Sequence, residues 1–422
     1  MSLITLFYRS IYTITGYKSS GRKGAQTKDE EVLVMEKVSG QKRKSRLRGW
    51  VFWPPFLVLI MVLILGFVSQ DAFLKVVNGV KDWIWGNFKW LFSGYGLAAV
   101  GVCFYACFSK FGNTVIGGKD AKPILGKFNW FAISLCTTIA AGLMFWAAAE
   151  PLYLMSDPSP FFDIEPNSPQ AAVFAMAQMY LHWGITPYAI YALAATVFAF
   201  TYYNMKKPFS LGACISPLLG ERATKGRLAD IIDALCIFIL CAGMSGSLST
   251  GAFSVAGGIS NITGIPTNGM MLIIVMAAII LVYTISASSG IMKGIKWLSS
   301  FNVYIFSFLI LFIFLFGPTK FILNFGVESV GELMDSFFMR NLFTDSMNLG
   351  NSSWSSLGNM KVGYWASYLA WAPVTALFLG KLARGYKIRD CIIINLFVPT
   401  VFSMIWVSIF GGTAIHMHMQ ES

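Results

Sequence analysis

Residues 136–154 read "CTTIAAGLMFWAAAEPLYL", a run apolar enough to lie in lipid that nevertheless carries a hydroxyl pair, a string of small residues and a carboxylate joined to a proline. Thr137 and Thr138 open it, Ala140, Ala141 and Gly142 follow Ile139, and Glu150 and Pro151 stand near its end. A backbone in hydrocarbon must satisfy its own N–H and C=O groups, so an interrupted helix is tolerated there only where protein or a water-filled cavity surrounds it. Small residues at such a point let a neighbouring helix or a solute approach the backbone. The stretch predicts either a spanning helix broken around residues 138–142, or a tightly packed helix that Pro151 ends near the outer interface.

The rest of the chain makes lipid the right setting. Of 422 residues, 56% are hydrophobic and 12% charged, with mean hydropathy +0.63, against roughly 25% charged in an ordinary soluble domain. The apolar residues come in runs of about 20, the length that crosses roughly 30 Å of hydrocarbon. Nine spans are expected, at about 51–69, 91–109, 129–155, 171–203, 230–259, 270–288, 297–317, 363–383 and 391–415. The class is all-α and polytopic.

The net charge of +12 is explained by topology rather than by nucleic acid. The tail of residues 1–49 ends in the polybasic "QKRKSRLRGW", and most other Lys and Arg fall in alternate loops that share its side. The positive-inside bias puts the N-terminus in the cytoplasm; an anionic-lipid contact of the tail is the alternative. Residues 326–343, "GVESVGELMDSFFMRNLF", place apolar side chains at helical spacing, which predicts an amphipathic helix along the outer surface. The triplets at Asn261 and Asn351 are formal glycosylation sequons on the outside. The seven cysteines lie in or beside apolar runs without zinc-like or redox-like spacing.

Few residues in the spans can carry chemistry. Paired carboxylates, a nucleophile with its base and a phosphate-cradling glycine loop are all missing from the sequence pattern, so an enzyme is not expected. His416 and His418 follow the last span, where a chance pair is favoured over a metal site. Glu150 lies about eight residues beyond Gly142, roughly 12 Å of helix rise, which predicts a structural or gating place, with Pro151, outward of any central site. Aromatic residues are the stronger signal. Trp183, Tyr188 and Tyr191 gather in the fourth span, and Tyr364, Trp365, Tyr368 and Trp371 in the eighth, with Tyr364, Tyr368 and Trp371 on one face. They are either interfacial belts or two walls of a box that holds a quaternary ammonium by cation–π attraction, worth about 2 kcal/mol or more when desolvated. In the fifth span, "CAGMSGSLSTGA" offers Ser247 and Thr250, which suit either a sodium ion or close helix packing.

Together, "GLMFWAAAEPLYL", "LHWGITPYAIYALAATVFAF", "KKPFSLGACISPLLG" and "YWASYLAWAPVTALFLGKLARGYKIRD" resemble the betaine/carnitine/choline transporter family over roughly residues 50–415. The resemblance implies a leucine-transporter-like core of two inverted five-helix repeats. Residues 1–49 would be the cytoplasmic tail, 50–110 two peripheral helices, 111–318 the first repeat, and 319–422 an outer amphipathic helix followed by the first two helices of the second repeat. It implies secondary active transport by alternating access of a small quaternary-ammonium or zwitterionic osmolyte, of betaine, choline or carnitine type, in the plasma membrane. No cofactor is implied; sodium is the candidate coupling ion, with Ser247 and Thr250 its candidate ligands, and a homo-oligomer is compatible. The substrate residues carried over are Trp183, Tyr188, Tyr191, Tyr368 and Trp371, with Thr138, Ile139, Ala140 and Gly142 at the break; Arg384, Lys387 and Arg389 match the basic inner loop. The family's tryptophan-rich eighth-helix pattern is here Trp365, Ala366, Ser367, Tyr368, and Tyr188 stands where tryptophan is usual. A less methylated or differently shaped solute is then expected. The family core implies twelve spans and this chain has nine, so a C-terminally truncated member is the expectation, and a non-transporting fragment the alternative function.

Overall fold

The computed structural model describes residues 48–139, 141–288, 294–347 and 357–421. The polybasic tail, apart from Arg48, and the sequon at Asn351 lie outside the described residues.

The described chain is helical, in this order: α1 (Gly49–Val68), α2 (Gln70–Phe108), α3 (Lys127–Thr138), α4 (Ala141–Ser156), α5 (Pro169–His182), α6 (Ile185–Ala199), α7 (Gly212–Leu219), α8 (Arg227–Thr263), α9 (Gly269–Ser288), α10 (Lys296–Phe316), α11 (Thr319–Leu342), α12 (Leu357–Leu382), α13 (Ile388–Ile392) and α14 (Val398–Glu421). Among the described residues eight helices are long and apolar enough to cross a membrane, or nine when the bent pair α3–α4 counts as one span. The protein is an integral membrane protein.

Two interruptions shape the middle. Helices α3 and α4 meet at 53°, and Ile139 between them is extended at φ −88°, ψ 94°. The break therefore falls among the small residues. Pro151 does not end its helix: α4 continues to Ser156, and the proline ring packs where a Cβ on Gly411 of α14 would come within 3.1 Å of it. The fourth span, expected as one run, turns at Trp183 and Gly184 before α6 begins. Its first half is well started, with Pro169 at the first helical position and the Ser168 hydroxyl accepting from the Ala171 N–H at 3.1 Å.

Around these breaks α2, α4, α5, α6, α12 and α14 form the buried core. By contrast α1, α8, α9 and α10 leave most of their apolar surface exposed, as lipid-facing helices do. Helix α11 buries Ile322, Phe325, Ser329, Leu333, Ser336 and Arg340 at steps of three or four residues, which seats that stripe on α5 and α14. Its other face exposes Val327, Met334 and Phe338. The carbonyls that α11 leaves open at its C-terminus are capped from α12: the buried Lys361 ammonium donates to the carbonyls of Arg340, Asn341 and Phe343 at 3.2, 2.7 and 2.5 Å.

At the other end of the bundle the loop after α2 is sewn to the loop after α12. The Ile116 N–H donates to Tyr386 O at 2.9 Å, Gly385 N–H to Ile116 O at 2.9 Å and Ile388 N–H to Thr114 O at 3.0 Å. Asn204, leaving the fourth span, accepts from Gly117 N–H and donates to Val115 O, and Arg389 donates to Cys107 O at 2.7 Å. Hydrogen–deuterium exchange should find the amides of Ile116, Gly385 and Ile388 far slower than those of the neighbouring exposed loop residues Lys119 and Asp120. Equal exchange rates would show that the clasp is open in solution.

Candidate functional site

The turn at Trp183 and Gly184 decides what meets in the core. Trp183 caps α5 at φ −121°, ψ 23°, and Gly184 takes φ −115°, ψ −137°. A Cβ at Gly184 would lie 2.1 Å from the Tyr180 carbonyl oxygen, so the chain can turn here only with glycine. The indole of Trp183 then faces the first break: a Cβ on Gly142 would sit 3.2 Å from its ring.

From α12, Tyr364 and Tyr368 close on the same indole, with ring centroids 5.7 and 6.1 Å away and interplanar angles of 75° and 72°. Tyr368 also meets Tyr191 at 4.9 Å and Tyr188 at 6.2 Å. All five side chains are buried or nearly so. The Tyr188 hydroxyl is held by Ser403 of α14 at 2.7 Å, whereas the buried Tyr368 hydroxyl has no partner at hydrogen-bond distance. Edge-to-face rings at these separations present π faces and edges together, which is the surface an alkylated ammonium prefers.

Glu150 belongs to this cluster and does not lie outward of it. The carboxylate is fully buried and accepts three hydrogen bonds: from His182 Nδ1 at 2.6 Å, from Trp183 Nε1 at 3.3 Å and from the Tyr364 hydroxyl. The rise from Gly142 to Glu150 lies within the one helix α4; what the expectation missed is the reach of the side chains facing it, since the Trp183 ring meets the Gly142 position and its N–H meets Glu150. His182 stacks on Tyr364 at 4.3 Å, and its Nε2 meets Gln178 Nε2 at 2.8 Å. Gln178 Oε1 in turn accepts from Arg340 Nη1 at 3.0 Å. Arg340 is also fully buried, over the rings of Phe174 and Phe162 at 4.7 and 5.5 Å. It pairs with Glu332 at 2.7 Å and with Ser336 at 2.6 Å, and burial pulls its pKa below the ordinary guanidinium value.

The structure thus brings together Trp183, Tyr188, Tyr191, Tyr368, Gly142 and Glu150 of the residues expected from sequence. It sets others apart. Trp371 packs instead against Gly243 of α8, whose Cβ position is 3.4 Å from the indole nitrogen. Ser247 and Thr250 sit on the unbroken α8, and the Thr250 hydroxyl donates to its own helix at Gly246 O. Thr138 spends its hydroxyl on the carbonyls of Ser134 and Leu135, and the Ile139 side chain is buried beside the break. Ala140 lies outside the described residues. Sequence reasoning missed His182, Gln178 and Arg340. The available signal was "QMYLHWG", an ionisable residue inside a span with a glutamine one helical turn before it, and such residues carry function far more often than chance.

The family pattern described as BCCT, betaine/carnitine/choline family transporter, matches residues 50–422. This chain belongs to that family. Among similar proteins are the glycine betaine transporter OpuD of Bacillus subtilis, 30% identical over 88% of this chain and 71% of its own length. Glycine betaine transporter 1 of Vibrio parahaemolyticus is 32% identical over 85% and 68%. The betaine/ectoine transporter LcoP of Corynebacterium glutamicum is 29% identical over 91% and 60%. The BCCT chain described here therefore spans between about three-fifths and seven-tenths of the length of these relatives. Transport, not catalysis, is the family's business, and the absence of an enzyme-like constellation in the sequence agrees with it.

Proposed function

We propose that this BCCT-family chain carries out secondary transport of a small osmolyte with a cationic nitrogen centre, a quaternary ammonium as in glycine betaine and choline or an amidinium as in ectoine, by alternating access. The ammonium end would lie among Trp183, Tyr364, Tyr368, Tyr188 and Tyr191, with Gly142 admitting it against the α3–α4 break. The observation that supports this most is the meeting of five aromatic rings from α6, α12 and the turn after α5 beside that break, two of them bonded to one buried carboxyl group. An ammonium between π faces gains about 2 kcal/mol or more per desolvated contact, and Glu150 supplies a full negative charge at the same place.

Tyrosines in place of tryptophans weaken the π contribution and add hydroxyl donors, which favours a solute that also accepts or donates hydrogen bonds. Sodium is the proposed coupling ion. The positive-inside pattern supports an inner, cytoplasmic-membrane location with a cytoplasmic N-terminus. Tryptophan fluorescence of the purified 422-residue chain in detergent should change on titration with glycine betaine, choline, carnitine or ectoine, and tighten when sodium replaces potassium. Failure of all four solutes to perturb it would overturn the solute reading; an equal response in both salts would overturn sodium coupling.

A further inference from the structure

The hydrogen bonds from α11 to Glu150 form one chain whose donor and acceptor roles are fixed from its outer end. A guanidinium has only N–H donors, so the Gln178 atom facing Arg340 must be its carbonyl oxygen. The Gln178 amide nitrogen is then the atom that meets His182 Nε2 at 2.8 Å, and it can only donate. His182 Nε2 must accept, so the ring is neutral and its single proton sits on Nδ1, where it is donated to Glu150 Oε1 at 2.6 Å. The other Glu150 oxygen faces the Trp183 N–H, which can only donate, and the Tyr364 hydroxyl. Donors facing both oxygens of one carboxyl group favour its charged form.

We propose that Arg340, two residues removed from any contact with the aromatic cluster, is a positioning residue that fixes the tautomer of His182 through Gln178 and so keeps Glu150 charged toward the solute. Protonating His182 requires Gln178 to turn its amide nitrogen onto the guanidinium, donor against donor, in a buried setting where an unsatisfied pair costs about 1–3 kcal/mol per group. The charged and titratable groups around the pair have other commitments. Lys361 is bonded to three carbonyls, Glu332 and Ser336 hold the rest of the Arg340 guanidinium, and Tyr364 donates to Glu150. Glu332, more than a third exposed, marks where the chain reaches the surface.

The inference has two halves with separate tests. The tautomer half stands on the geometry alone. The chain has only three histidines, so magic-angle-spinning NMR of histidine-labelled protein in lipid can read the His182 ring directly. The ring should carry a single proton, on Nδ1, in the unaltered chain. In Arg340→Met the fixed Nδ1 tautomer should be lost, and in Arg340→Lys, which keeps a donor for Gln178, it should return. Gln178→Glu, which sets an acceptor against Nε2, should place a proton there. Unshifted signals from His416 and His418 serve as the check that each variant is folded. A proton on Nε2 in the unaltered chain, or an unchanged ring in Arg340→Met, overturns the assignment.

The second half rests on the proposed reading of the aromatic cluster as the solute site. Affinity for choline should fall on the order of ten-fold in Arg340→Met, because losing the fixed Nδ1–H donor leaves Glu150 less well held toward the cation. A normal tautomer response with no change in choline affinity would overturn this second half and leave the first standing.

Discussion

Trp183→Ala is expected to weaken solute binding about 100-fold, the largest single effect at the proposed site. The indole contributes twice. It presents a desolvated ring face to the ammonium, worth about 2 kcal/mol, and its N–H is one of three donors to Glu150, each worth about 1–3 kcal/mol when the acceptor is a buried charge. Trp183→Phe separates the two contributions, since it keeps a ring and loses the donor; it should lose about ten-fold. Fluorescence titration is compromised by removing a tryptophan, so the measurement is isothermal titration calorimetry with glycine betaine and choline on the purified chain. Unchanged affinity in Trp183→Ala would remove the aromatic cluster from consideration as the solute site.

Gly184→Ala should be worse for the protein than for the ligand. The added Cβ would stand 2.1 Å from the Tyr180 carbonyl oxygen, which is backbone and cannot rotate away, so α5 and α6 must change their angle. That angle sets Trp183 against α12, and the expected loss is about 3 kcal/mol or more, in the range of severe core disruption. Thermal unfolding in detergent should show a lowered midpoint or no folded fraction. Gly246→Ala on α8, where nothing lies within 4 Å of the new carbon, is the matched control and should be neutral or slightly stabilising. A Gly184→Ala chain as stable as the control would mean that the turn is not fixed by this contact.

The helical class, the eight candidate spans among the described residues (nine with the bent pair), the break near residue 139 and the amphipathic character of α11 were legible, because each follows from a periodicity or a length that lipid enforces on the sequence. The rings of Trp183, Tyr188, Tyr191 and Tyr368 were legible as well, since aromatic residues at helical spacing in two spans are conspicuous. Glu150 was placed too far outward, because rise along a helix says nothing of how far the side chains facing it reach, and the Trp183 indole meets both the Gly142 position and Glu150. Trp371 was expected with Tyr364 and Tyr368 on one face, and the face does exist; the helix presents its two ends to different neighbours, Trp183 and Gly243. Arg340 could not have been found by spacing. Its connection to His182 runs through Gln178 across 162 residues of sequence and depends on how α11 lies on α5.

Tyr368 stands at the centre of the ring cluster, within 4.9–6.2 Å of Trp183, Tyr188 and Tyr191, distances at which aromatic rings already touch. The walls of the proposed box thus occupy one another, and on that reading a headgroup would enter only in the fraction of molecules whose Tyr368 has swung aside. Observed affinity is the intrinsic affinity reduced by that fraction. Different solutes should then share one ceiling on their association rate, set by the tyrosine and not by diffusion, and differ from each other chiefly in how slowly they leave.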